Sequence, residues 1–270
     1  MEGGGKGAWK GGGMKERLRV HVIQLSYGDD ESPEQRRDRV AGLVRAQAGA
    51  DLVVLPELWP QGGFAYDTWE AQAEPADGPS LQAVAAAARD LGVTVHMGSF
   101  VERDETGRLF NTSVLLGPDG AVLTSYRKIH LFGFGEGEPK LMSPGSDVVV
   151  HDGLGLATCY DLRFPELFRA LVDNGTVALV MASAWPAKRI AHWRLLAQAR
   201  AVENQMYVVA CNTAGTHAGV PMGGHSIVVD PWGEVLAEAG EGEEVLAVEL
   251  DLASVATARS SFPVLPDRRL

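Results

Sequence analysis

The chain predicts a layered α/β protein, and three observations carry that expectation. Short runs rich in Val, Ile and Leu recur from Leu18 onward, separated by stretches with helical periodicity. Several of these runs are apolar throughout rather than alternating, as strands are when both faces of their sheet are covered. At 270 residues with 46% apolar content, the chain can bury one large core and needs no second one.

Residues 18–25 read as the first strand. Ser32-Pro33-Glu34-Gln35 then opens a helix, with Ser as its cap and Pro at its first position. Residues 51–55 form a buried strand that ends in Pro56-Glu57 and runs into the aromatic loop Leu58-Trp59-Pro60. Residues 80–91 are an amphipathic helix. Three strands follow over 93–101, 110–116 and 122–126, the last two joined at the turn signal Gly117-Pro118-Asp119-Gly120. The run Leu154, Leu156, Ala157 is a strand that stops at Cys159; a polar turn leads to a helix that begins near Pro165 and covers 167–174. Residues 177–182 are strand, and 190–204 are a helix with an Arg/Glu/His face. Residues 206–211 are strand, and later strands flank the Pro231-Trp232-Gly233 turn. The tail over 262–266 is apolar and reads as extended, packed on the body or on a neighbour.

Composition excludes several function classes. A formal charge of −11 argues against nucleic-acid binding, which needs a basic face. No apolar run approaches the length of a bilayer span. Residues 1–16 hold seven glycines and almost no apolar residues, so they read as a flexible tail before a single domain over 17–270, not as a signal or transit peptide. With no export signal and two cysteines on separate strands, a cytoplasmic location with reduced thiols is expected. Seven histidines without His-x-His or His-Glu-x-x-His spacing make no zinc site, and neither metal nor cofactor is expected.

Three reactive groups stand where strands end. Cys159 occupies a strand-to-helix elbow, expected to be exposed at the sheet edge, where backbone N–H groups and a helix N-terminus favour thiolate. Glu57 follows one strand, and Lys128 follows another, hemmed by Ile129 and Leu131. Taken singly, each has a plainer reading: Cys as a small buried hydrophobe like Cys211, Glu as a solvated loop charge, Lys as a snorkelling side chain. A Cys–His hydrolase with His130, His192 or His225 as base is a competing reading, and a non-catalytic scaffold is another. The first leaves the Glu and Lys segments unexplained, and the second predicts that one reactive group has been lost.

Leu-Pro-Glu-Leu at 55–58, Tyr-Arg-Lys-Ile-His-Leu-Phe at 126–132 and Cys-Tyr-Asp-Leu-Arg-Phe-Pro-Glu at 159–166 resemble the three signature motifs of the carbon–nitrogen hydrolase (nitrilase) superfamily. Ala191-His192-Trp193-Arg194, residues 199–205, and the Gly224-His225-Ser226 and 230–235 segments resemble its omega-amidase-like branch. The similarity runs from Leu18 to the C-terminus. It implies an α-β-β-α sandwich whose helices pair across a two-fold interface, in a homodimer or higher homo-oligomer. It also implies a catalytic triad of Glu57, Lys128 and Cys159, with hydrolysis of a small linear amide through a Cys thioester, releasing ammonia and an acid. N-carbamoyl compounds and nitriles are alternative substrates for the same triad. Members carry a second glutamate, for which Glu136 and Glu138 are candidates; the branch spacing of seven residues to a following Gly selects Glu138, ahead of Gly145.

In this scheme the Tyr160 N–H joins Lys128 at the oxyanion, and Lys128 lowers the thiol pKa. Arg163, four residues past the nucleophile, is the expected contact for a substrate carboxylate; a salt bridge to Asp161 or Glu166 is the structural alternative. Trp59, Phe64, Tyr66 and Trp185 are candidates for the pocket wall or the core. The only partners expected are a small amide substrate and further copies of the chain.

Overall fold

The structure, a computed structural model, describes residues 16–269. The tail assigned to residues 1–16 therefore lies, apart from Glu16, outside the described residues. The chain enters on β1 (Arg17–Gln24) and the short β2 (Ser26–Tyr27), followed by α1 (Pro33–Arg45), β3 (Leu52–Val54), α2 (Tyr66–Gln72) and α3 (Pro79–Leu91). Next come β4 (Thr94–Arg103), β5 (Leu109–Leu116), β6 (Val122–Arg127) and the single turn α4 (Glu138–Leu141). β7 (Val150–His151), β8 (Leu154–Thr158), α5 (Pro165–Asp173), β9 (Ala178–Ala182), α6 (Ile190–Asn204) and β10 (Tyr207–Cys211) complete the middle of the chain. The last elements are β11 (Ala214–His217), β12 (Val220–Pro221), β13 (Ile227–Val229), β14 (Val235–Glu238), β15 (Glu244–Asp251) and α7 (Ala253–Ser261).

The strands form two six-stranded sheets, ordered β15-β1-β3-β4-β5-β6 and β14-β13-β10-β9-β8-β7, with a small third sheet β12-β11-β2. Each large sheet has three adjacent parallel strands, β1-β3-β4 and β8-β9-β10, extended by antiparallel strands at both ends. Strand alternation explains the layers. Val20, Val22, Leu52 and Val54 meet Leu156, Val180 and Val209 in a core between the sheets. Ile23, Val53 and Leu55 point the other way, onto Val40, Val44 and Val84 of α1 and α3. Leu179, Met181 and Val208 pack against Phe168 of α5 and Trp193 and Ala197 of α6. The result is helices, sheet, sheet, helices, the α-β-β-α sandwich that the motif resemblance implied. Because both faces of the central strands are covered, β3 and β9 contain no polar residue to mark an outer side.

Local signals set the ends of elements as expected. Ser32 Oγ accepts from the Gln35 N–H at 3.2 Å and Gln35 Oε1 accepts from the Ser32 N–H at 3.0 Å, a reciprocal cap on α1. The Gly117–Gly120 turn closes with the Gly120 N–H on the Gly117 carbonyl at 2.9 Å. The polar turn expected after Cys159 is a 3-10 turn, Cys159–Arg163, directly after β8. One expectation needs correction. Residues 262–266 are not extended: the Val264 N–H bonds back to Phe262 O, and Asp267 N–H to Val264 O. Two prolines deprive this segment of ladder donors, so it coils against the body, with Arg268 on Asp173. Among the described residues no helix is long and apolar enough to cross a membrane.

Candidate active site

Glu57 is held by a defect in the neighbouring strand. β4 shifts register against β5 between His96 and Ser99, and Gly98 sits in that bulge with φ 70°. A Cβ at Gly98 would lie 1.9 Å from the Pro56 carbonyl oxygen, so only glycine lets the chain leaving β3 pass this close. The bulge then fastens that chain: the Ser99 N–H donates to Pro56 O at 3.2 Å, and Ser99 Oγ accepts from the Leu58 N–H at 3.0 Å. Across the sandwich the Glu57 N–H reaches Ser183 O, and Glu57 Oε2 accepts from the Ala184 N–H at 2.8 Å. Both contacts lie just past β9, so the C-terminal ends of the two sheets meet at this carboxylate. Its exposure of 2% rules out the solvated-loop reading.

Lys128 follows β6 and is 1% exposed, so it does not snorkel. Its Nζ donates to Glu57 Oε1 at 2.8 Å and to Glu138 Oε1 and Oε2 at 3.0 and 2.8 Å. The Lys128 carbonyl accepts from the Gly145 N–H at 2.9 Å, and a Cβ at Gly145 would collide with Arg127 O at 2.1 Å. Burial opposes the Lys128 charge, but Glu138, Glu57 and Cys159 outweigh it and hold the ammonium well above its ordinary pKa. Burial also raises the Glu138 carboxyl, against Lys128, which pulls it down, and with Glu57, which pushes it up. Glu136 is elsewhere: its side chain is 76% exposed and pairs with Lys140.

Cys159 takes φ 45°, a left-handed conformation that a residue with a Cβ adopts only under local strain. The Asp161 side chain holds this elbow, with Oδ2 accepting from the Thr158 N–H at 2.8 Å and the Tyr126 hydroxyl at 2.7 Å. The sulfur is not exposed at a sheet edge as expected; Cys159 is 8% exposed, at the floor of a pocket. The expected thiolate is also corrected. Burial first, and then the Glu57 carboxylate, push the thiol up, and the opposing pull of Lys128 is smaller. Free Cys159 is therefore a neutral thiol beside a base. Cys211 lies in the core between the sheets, with its Sγ 3.2 Å from Ile23 O.

Glu57, Lys128, Glu138, Cys159, Tyr160, Arg163 and Trp185 all line this one pocket, together with Phe64, Tyr66 and Phe132. Trp59 does not. It is fully buried in the core between the sheet and α3, its Nε1 donating to Met97 O at 2.8 Å. Arg163 forms neither of the salt bridges that were its structural alternative, since Asp161 is taken by Thr158, Tyr126 and His130. Its guanidinium instead lies 4.7 Å from the centre of the Trp185 ring, with Nη2 3.3 Å from His192 Nδ1. Arg189, which sequence reasoning missed, lines the same pocket, 5.2 Å from the Phe132 ring. Among the described residues neither guanidinium has a carboxylate partner. None of the histidines proposed as a base lines the pocket; His130 is bonded to Asp161, His192 to Arg163 and His225 to Glu238.

Asn111 was also missed. It lies in β5, is 1% exposed, and its Nδ2 donates to both Glu57 Oε1 and Glu138 Oε1 at 2.8 Å. The only sequence cue was a polar residue inside an apolar strand, which equally describes its neighbours Thr112 and Ser113.

Such a site can attack a carbonyl-like carbon with sulfur, pass a proton through a buried carboxylate, and stabilise an oxyanion with a buried ammonium. Comparison with known proteins identifies the family. The sequence model for the carbon-nitrogen hydrolase family matches residues 19–260. A protein named 2-oxoglutaramate amidase, from Paenarthrobacter nicotinovorans, is 43% identical over 94% of this chain and 90% of its own length. The omega-amidase NIT2 of Mus musculus is 37% identical over 93% of this chain and 95% of its own. The crystal structure of Saccharomyces cerevisiae Nit3, described as a member of branch 10 of the nitrilase superfamily, superposes with a TM-score of 0.85 at 33% identity, covering 94% of this chain and 97% of that one. The motifs, the sandwich and the family match over nearly the whole length lead to one assignment: the chain belongs to the carbon-nitrogen hydrolase family.

Proposed function

We propose that this chain hydrolyses a small linear amide bearing a carboxylate a few atoms from the reacting carbonyl, releasing ammonia and an acid. Glu57 takes the Cys159 proton as the sulfur attacks the amide carbon. The Tyr160 N–H and the nearby positive charge of Lys128 stabilise the oxyanion of the tetrahedral intermediate. Collapse breaks the C–N bond, with the Glu57 proton passing to the departing nitrogen, and leaves a thioester on Cys159. Glu57 then deprotonates a water that attacks the thioester, and the same proton returns to the sulfur as the acid leaves. Glu138 orients Lys128.

The reading is carried by a pocket that holds a thiol, an ammonium and a carboxylate at its floor, with two guanidinium groups lacking carboxylate partners among the described residues. A guanidinium binds a carboxylate through two parallel hydrogen bonds, and a stack on Trp185 holds Arg163 ready to do so. The names of the two relatives, both amidases, point the same way. The protein is read as a single cytoplasmic domain that pairs with a second copy. The outer side of α6 supports the pairing: it exposes Leu195 and Val202, with Trp232 in the turn that abuts Val202.

The test is ammonia release from a panel of terminal amides of 2-oxo acids, short neutral amides, N-carbamoyl amino acids and nitriles. Arg163→Lys is expected to lower kcat/KM at least tenfold on carboxylate-bearing amides and to leave short neutral amides nearly unchanged, since an ammonium cannot make the two-pronged contact (about 1.4 kcal/mol or more). Equal losses on both classes make Arg163 structural. Preference for nitriles or carbamoyl compounds overturns the substrate reading and leaves the thioester chemistry in place.

A further inference from the structure

The two carboxylates beside Lys128 pose an electrostatic problem that the triad chemistry leaves unanswered. Glu57 and Glu138 are both buried, and together they face a single ammonium. When both are ionised the cluster carries a net negative charge away from water, and two carboxylates in that position tend to share a proton. A Glu57 that already holds a proton cannot take one from Cys159. Among the described residues, the other titratable groups facing the cluster are Cys159 itself and the Tyr66 and Tyr27 hydroxyls, all held in their neutral forms by burial. The relief comes from uncharged donors. Glu57 Oε2 receives the Ala184 N–H, and Glu138 Oε2 the Phe132 N–H at 2.6 Å. Asn111 Nδ2 gives one hydrogen to each carboxylate.

Asn111 bears the marks of a residue kept for this contact. Its Oδ1 is buried without a hydrogen-bond partner, a cost that an apolar side chain of similar size would avoid. Turning the amide over would satisfy nothing, because it would aim that oxygen at two carboxylates. Its backbone carbonyl accepts from the Lys128 N–H at 2.9 Å, so the same residue also fixes the start of the lysine. It does not line the pocket and has no direct path to substrate.

We propose that Asn111 is a positioning residue that keeps Glu57 and Glu138 ionised together beside one lysine, so that Glu57 stands ready to accept the Cys159 proton. The inference rests on the amidase reading above for the role of Glu57, but it concerns a proton transfer that can be observed without turnover.

The experiment compares Asn111→Asp and Asn111→Leu with the unchanged protein, reading kcat and KM against pH on a substrate from the panel. In parallel, the rate of Cys159 alkylation by iodoacetamide is followed against pH by intact mass spectrometry. Asn111→Leu removes both donors, so kcat is expected to fall about 100-fold with KM within about threefold, and the acid limb to move up by about one pH unit. Asn111→Asp is isosteric and adds a third carboxylate. Once it takes up a proton it can donate again, so its activity relative to Asn111→Leu is expected to rise as pH falls. A purely structural residue would lower activity evenly at every pH, and that result overturns the proposal, as do alkylation profiles that coincide in all three proteins. If Asn111→Leu does not fold, the isosteric Asn111→Asp carries the test. A protein that releases no ammonia from any substrate sinks the amidase reading alone; the alkylation profiles then still decide for or against Asn111.

Discussion

Lys128→Met removes the charge from the centre of the site while keeping the length of the side chain, so the loss is electrostatic and leaves little cavity. Lys128 Nζ spends all three of its hydrogens on carboxylate oxygens, one on Glu57 and two on Glu138, at 2.8 to 3.0 Å. Adding three charge-assisted hydrogen bonds would overstate the effect, because the abandoned carboxylates can recover part of it by taking up a proton. Breaking a buried ion pair by removing one partner costs about 3–5 kcal/mol, and that range is expected here near neutral pH. With a urea slope of about 3 kcal/mol/M for a chain of this size, the midpoint should fall by about 1–1.7 M. The deficit depends on pH with a definite sign. Burial already raises Glu138 above the ordinary carboxylate value of 4.5, and losing Lys128 raises it further. A carboxyl raised in the folded state costs nothing below its unfolded pKa and destabilises as pH rises through its folded one. The variant should therefore be closest to the unchanged protein near pH 4.5 and furthest from it at pH 8. Urea titrations at pH 5, 6.5 and 8, with ammonia release measured alongside, provide the check; kcat should drop by about 100-fold or more as oxyanion charge is lost. A stability loss below about 1 kcal/mol, or one equal at pH 5 and 8, would refute the reasoning.

Two further predictions follow from the neighbouring geometry. Iodoacetamide should label Cys159 and spare Cys211, and because Cys159 is held as a neutral thiol the labelling rate should keep climbing past pH 8; a plateau near neutrality would mean that Lys128 holds a resting thiolate after all. Asp161→Ala strips the partner from the Thr158 N–H, the Tyr126 hydroxyl and His130 at once, so it should cost about 3 kcal/mol in urea unfolding and slow Cys159 alkylation; an unchanged midpoint would show that the elbow is held by the strands alone.

Much of this protein is written locally. The apolar run into Cys159 and the strand that ends at Glu57 are visible because burial on both faces of a sheet imposes a composition on consecutive residues, whereas the edge strand that reaches Lys128 is mostly exposed. The Ser32 cap and the Gly117–Gly120 turn are readable for the same reason, since a backbone requirement is met within a few residues. Motif resemblance selected Glu138 over Glu136, but only the fold shows why: one is swallowed beside Lys128, and the other stands in solvent with Lys140. The rest depends on groups far apart in the chain. Glu57 meets Asn111 across 54 residues, Lys128 across 71 and the Ala184 N–H across 127, and no local pattern encodes those distances. The protonation state of Cys159 was misread for that reason: an elbow and a nearby lysine favour thiolate, whereas burial and a carboxylate from the opposite sheet favour thiol. Arg189 and Asn111 could not be told from ordinary polar residues until the sheets faced each other, and Trp59 could not be told from a pocket wall. The sequence determined which groups the strands deliver. The packing of one sheet on the other decided which of them meet, how dry the meeting place is and where the protons rest, because those energies depend on distance and solvent exclusion in three dimensions.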